Sequence, residues 1–145
     1  MMESMEYLIG VVLALAVSAF AFLTGLDRDR VFYPTVLMVV ATYYILFAAM
    51  GTTAHAILIE SLVAVFFLAI AVVGFKTNLW LVAAALAGHG VFDLFHLRFI
   101  ENTGVPAWWP GFCMAYDIIA AGCLVILLTR RSDFSRAVKS APSNP

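Results

Sequence analysis

Long apolar stretches alternate with short polar separators along the whole chain, and the separators hold most of the charge. Five runs, 7–26, 31–50, 54–74, 79–97 and 111–129, are apolar enough to sit in lipid. Each is long enough, or nearly so, to cross a hydrocarbon core of about 30 Å at about 1.5 Å of rise per residue. The separators are Asp27-Arg28-Asp29-Arg30, a tight Gly51-Thr52-Thr53 turn, Phe75-Lys76-Thr77-Asn78 and a longer loop over 98–110. The pattern predicts an all-α fold, an integral membrane bundle of five transmembrane helices over 1–129 with no internal repeat. A disordered, basic cytoplasmic tail over 130–145 follows, polar and rich in Ser and Pro.

Composition agrees: 64% hydrophobic residues and a mean hydropathy of +1.02 exclude an ordinary soluble domain. Charge then orients the bundle. With five spans Arg28, Arg30, Lys76, Arg130, Arg131, Arg136 and Lys139 share one side, and only Arg98 falls on the other. The positive-inside rule therefore puts the N-terminus outside and the C-terminus in the cytoplasm of a multi-pass protein of the cell membrane. The first span is expected to be retained as a helix, because its leader carries Glu3 and Glu6 and lacks the basic n-region of a signal peptide. Its partner is the lipid bilayer, and five short helices leave room for a homo-oligomer. Cys113 and Cys123 lie about 15 Å apart in rise on one helix and cannot bridge each other.

Against this background the polar residues inside the spans stand out. They are His55, Glu60, His89, Asp93, His96 and Asp117, with no lysine or arginine among them. Counting about 1.5 Å per residue from the outer boundary, Glu60 and Asp117 lie about 9 Å deep, Asp93 about 6 Å and His89 about 12 Å. Tyr43 and Tyr44 reach about the same layer, whereas the inner half of the spans is almost wholly apolar. His89, Asp93 and His96 follow an i, i+4, i+7 spacing and occupy about 60° of one helix face. Cys113 and Asp117 share a face of the last span. His55 and Glu60, five apart, diverge by about 140°, which keeps Glu60 in the site and leaves His55 out. Gly88 and Gly90 flank His89 in an Ala/Gly-rich stretch that permits close helix approach.

A mid-membrane acid costs about 2.5–3.5 kcal/mol, so three imply roughly 8–10 kcal/mol, less for their off-centre depth. Leaving them as mutually repelling anions would cost more, so protons or a bound cation must neutralise them. Imidazole with carboxylate is a ligand set for zinc and other divalent metals. The expected site is a divalent metal, zinc being one candidate, on His89, Asp93 and Asp117. His89 and His96 are about 10.5 Å apart in rise, so one ion does not hold both. Glu60 or His96 would act as general base or acid in a metal-dependent intramembrane hydrolase of a lipid or amphiphile. Two alternatives stay open: a cation- or proton-coupled transport or sensing protein, and a non-catalytic membrane subunit. The roles of His55, Tyr43, Tyr44 and Cys113 stay open too. Trp108 and Trp109 are read as interfacial anchors. No phosphate loop, nucleophile elbow or basic aromatic strip for nucleic acid is present in the sequence.

From His89 onward the chain resembles an uncharacterised family of small bacterial integral membrane proteins. That family has H-x-x-x-D-x-x-H closing one helix, a short Pro-containing loop, and C-x-x-x-D opening the next. Here these read His89, Asp93 and His96, then Pro106 and Pro110, then Cys113 and Asp117, with Glu60 matching an acid on the preceding helix. The loop departs from the family's Thr/Ser-rich one, reading Ala107-Trp108-Trp109-Pro110-Gly111. The resemblance covers about a third of the chain; it implies that these residues act together and assigns no reaction. Intramembrane zinc hydrolases of the ceramidase and adiponectin-receptor type are similar in ligand chemistry alone, having seven helices and other spacings.

Overall fold

The computed structural model describes residues 5–51 and 53–140, the side chains of 135 and 137–140 excepted. Its elements are α1 (Met5–Thr24), α2 (Phe32–Gly51), α3 (Ala54–Lys76), α4 (Leu79–Phe99) and α5 (Trp109–Ser140), with a 3-10 turn at Leu26–Arg28. All five helices are long and apolar enough to cross a membrane. The protein is thus an all-helical, multi-pass membrane bundle in contact with lipid.

Local chemistry sets the ends. Gly25, at φ 79°, takes the left-handed conformation that a side chain resists, and turns the chain out of α1. Pro34 and Pro110 lie within the first turns of α2 and α5, where a missing N–H costs little. Asn78 caps α4, its side chain accepting from the Trp80 N–H at 3.0 Å. Two departures from the sequence reading follow. Gly51 belongs to α2 rather than to a turn, while Thr52 lies outside the described residues. The polar tail expected over 130–145 is helical as far as Ser140, and 141–145 lie outside the described residues. The reason is physical: 130–140 contain no Gly or Pro to stop a helix that the bilayer has already nucleated.

The most extensive packing is of α4 on α5, then of α1 on α5 and α2 on α3. α1 is the most peripheral helix and buries only a stripe of small residues, Gly10, Ala14 and Ala21. Such stripes let membrane helices approach closely. Large apolar side chains face outward along every span, among them Leu23, Leu62, Phe66 and Leu97. The buried set, in contrast, includes Asp27, Glu60, His89, Asp93, His96, Asn102 and Asp117. Keeping ionisable groups in the interior and apolar side chains against lipid is the arrangement a bilayer imposes.

The interior is itself divided along the bundle axis. Toward the α1–α2 and α3–α4 connections it is apolar, built from Leu37, Val40, Phe67, Val82, Leu86 and Leu124. Toward the α4–α5 loop, here the loop end, it becomes polar. Arg30 secures the apolar end by donating to Phe75 O at 3.0 Å, and Arg131 does so by donating to Asp27 O at 3.0 Å. At the loop end Gly104 lies so tightly on α2 that a Cβ there would overlap Phe47 O. Thr103 Oγ1 donates to Gly51 O at 3.3 Å, so the loop is strapped over the polar half.

Candidate metal centre

Four residues from two helices make the centre. His89 and Asp93, four apart on α4, face Cys113 and Asp117, four apart on α5. One ligand atom from each lies within 4.8 Å of the other three, and all four residues are at most 1% exposed. Gly90 favours this. A Cβ at that position would stand 3.1 Å from Met114 O and 3.2 Å from Asp117 Cβ, tighter than ordinary contact, so the glycine eases the close approach of α5. Gly88, given the same expectation from sequence, has nothing within 4 Å of where its Cβ would be, so it sets no helix spacing.

His89 Nδ1 is 2.6 Å from Asp117 Oδ2 and 3.5 Å from Asp93 Oδ2. The Cys113 thiol donates to Asp117 Oδ2 over 3.9 Å, a long contact even for sulfur. Tyr44, on α2, donates its hydroxyl to Asp93 Oδ1 at 2.7 Å. Asp93 Oδ2 and Asp117 Oδ1 are buried without a hydrogen-bond partner. Buried carboxylate oxygens are costly to leave so, and spare lone pairs beside an imidazole and a thiol suit a cation. Around one tetrahedral zinc, bonds of about 2.0–2.3 Å hold ligand atoms about 3.3–3.8 Å apart, so side chains spread over this distance need only small shifts.

Glu60 and His96 stand apart from this cluster. They form their own pair, His96 Nε2 to Glu60 Oε1 at 2.8 Å, with both side chains fully buried. Asn102 of the loop donates to the same Glu60 oxygen at 2.8 Å and to Tyr44 O at 3.3 Å. Tyr44 joins the two groups: its hydroxyl meets Asp93, and its ring stacks on that of His96 with centroids 3.9 Å apart. Glu60 Oε2 and His96 Nδ1 have no hydrogen-bond partner.

The structure therefore brings together His89, Asp93 and Asp117 as a unit, and Glu60 with His96 as a second unit about one helical turn nearer the loop. His55 is exposed, and Tyr43 is 37% exposed beside Trp109 with ring centroids 5.0 Å apart. Cys113 and Tyr44, whose roles the sequence left open, both face the carboxylates. Asn102 was missed. A polar residue in a loop carries no signal of burial, and only the tight Thr103-Gly104 step beside it hints that the chain turns back.

What the fold and site define is a five-helix membrane protein with a buried His/Asp/Cys cluster able to hold a metal ion. Comparison of the chain with family models, with curated proteins and with solved structures finds no match.

Proposed function

We propose that the protein holds a divalent transition metal on His89, Asp93, Cys113 and Asp117, in the outer half of the cell membrane, and uses it to hydrolyse a lipid or other amphiphile. One observation carries the metal. Four ligand atoms converge within 4.8 Å in an interior whose buried polar residues, among those described, include no lysine or arginine. Two carboxylates offset one divalent charge, and imidazole with thiolate favours zinc.

Bound there, such an ion would polarise a carbonyl or acidify a water. The surroundings support an amphiphilic substrate. A cleft of about 210 Å³ between α1 and α2 is lined by Leu13, Val17, Val40, Phe112 and Cys113. In a bilayer it faces hydrocarbon, so an acyl chain lying in it would bring its polar end toward the cluster. Hydrolysis needs an open position, which Cys113, the most loosely placed of the four, would vacate to leave His89, Asp93 and Asp117 as the three protein ligands. Glu60 Oε2 and His96 Nδ1, free of hydrogen bonds, would accept and return a proton. A second reading, cation transport or sensing, is favoured by the closure of the centre, whose ligand residues are at most 1% exposed.

Elemental analysis of detergent-purified protein tests the metal. About one equivalent of zinc or another transition metal is expected in the wild type, with loss in Asp93→Ala and Asp117→Ala and weaker retention in Cys113→Ser. A wild type that stays metal-free after reconstitution with zinc ends the proposal. With metal present, turnover of lipid esters or amides supports the hydrolase, and ion flux without turnover supports the second reading.

A further inference from the structure

We propose that the crevice between the loop-end halves of α1 and α4 is the port through which a divalent cation reaches Asp93, with Glu6 as the carboxylate that draws it in. The inference rests on the metal-binding reading above and adds a route and a side.

The crevice, about 150 Å³, is lined by Glu6, Tyr7, Asp93, Leu97, Pro110 and Gly111 among others. That is room for several waters, so a partly hydrated ion fits. No lysine or arginine lines it. Glu6 stands in the first turn of α1, half-buried, and its carboxylate has no hydrogen bond or ion pair among the described residues. Asp93 closes the inner end. It is 1% exposed, its Oδ1 is held by Tyr44, and its Oδ2 has no hydrogen-bond partner. One unpaired carboxylate thus marks the mouth, and one buried, unsatisfied carboxylate oxygen belongs to the residue at the floor.

Gly111 makes the mouth. A Cβ at this position would collide with Glu6 Oε1, so the bare backbone at the start of α5 is what lets the carboxylate lie over it. Two acids in a narrow crevice with apolar walls focus field lines and raise the local concentration of cations. A carboxylate at the mouth that binds nothing in the protein fits a transient ligand for a passing ion. The apolar cleft that borders Cys113 between α1 and α2 opens elsewhere, so the ion and an acyl chain need not compete for one path.

The test follows metal uptake by the whole chain in detergent, stripped with a chelator and mixed with Co²⁺, by stopped-flow absorbance of the cobalt centre. Wild type, Glu6→Gln, Glu6→Lys and Gly111→Ala should all reach the same final occupancy. Uptake should slow about three- to tenfold in Glu6→Gln and further in Glu6→Lys. Gly111→Ala keeps the charge but displaces it, and should fall between wild type and Glu6→Gln. Added salt should slow the wild type more than Glu6→Gln, since it screens a mouth charge that the variant lacks. Cobalt binding at one rate in all four proteins overturns the port and leaves the metal centre standing. A wild type that takes up no cobalt removes both.

Discussion

Tyr44 is the residue on which the two halves of the site depend. Its hydroxyl occupies Asp93 Oδ1 at 2.7 Å, and its ring covers His96. Tyr44→Phe keeps the ring and removes only the donor, leaving a third carboxylate oxygen without a partner beside Asp93 Oδ2 and Asp117 Oδ1. Hydrogen bonds between membrane helices contribute about 0.6 kcal/mol on average and up to about 1.7 kcal/mol, so a loss of that order is expected in thermal unfolding in detergent. The same hydroxyl orients a proposed metal ligand, and loss of such a contact typically weakens metal binding about ten- to a hundredfold. A titration with Co²⁺ reads this directly. A variant with unchanged metal affinity would show that Asp93 is held by the fold and not by the phenol.

At the scale of elements the site depends on how near α4 can come to α5. Gly90→Leu must push a side chain against Met114 O and Ile118, and overpacking of this kind costs about 1–3 kcal/mol. The separation it forces would also break the 2.6 Å contact of His89 with Asp117, so metal uptake should fail with it. Gly88→Leu points into open space and should change stability by less than about 0.5 kcal/mol. Equal damage from both substitutions, by melting temperature and cobalt uptake, would contradict the packing argument. The two glycines also show where sequence reasoning stops. The spans and the position of each polar residue along its helix were legible, because the bilayer dictates length and the helix dictates rise. The i, i+4, i+7 spacing correctly put His89, Asp93 and His96 on one face. Which neighbour that face meets depends on the azimuth of other helices, and spacing says nothing about it. So Glu60 was legible as a polar residue in the interior, while its pairing with His96 and Asn102 was not. The end of α5 was misplaced for a related reason: beyond the headgroups hydropathy no longer reports helix, and propensity carries the chain on to Ser140.

For the whole molecule, the distribution of charge carries the last prediction. Arg28, Arg30 and Lys76 lie at the apolar end, and Arg130 and Arg131 lie on α5 beside it; Arg98 is near the loop end. By the positive-inside rule, an asymmetry of this size predicts the basic end in the cytoplasm and the loop end, with the Glu6 crevice, outside. Single cysteines at Glu101 and Lys76, both exposed positions, report this in a background with Cys113 and Cys123 replaced by alanine. In intact cells a membrane-impermeant maleimide should label Glu101→Cys and spare Lys76→Cys until the membrane is opened. The reverse result would turn the bundle over. It would leave every distance in the centre unchanged, but the crevice would then draw its cation from the cytoplasm, where free transition metal is scarce. A low-affinity port is of use only on the side where the ion is supplied, so the labelling experiment also decides which compartment the centre can draw on.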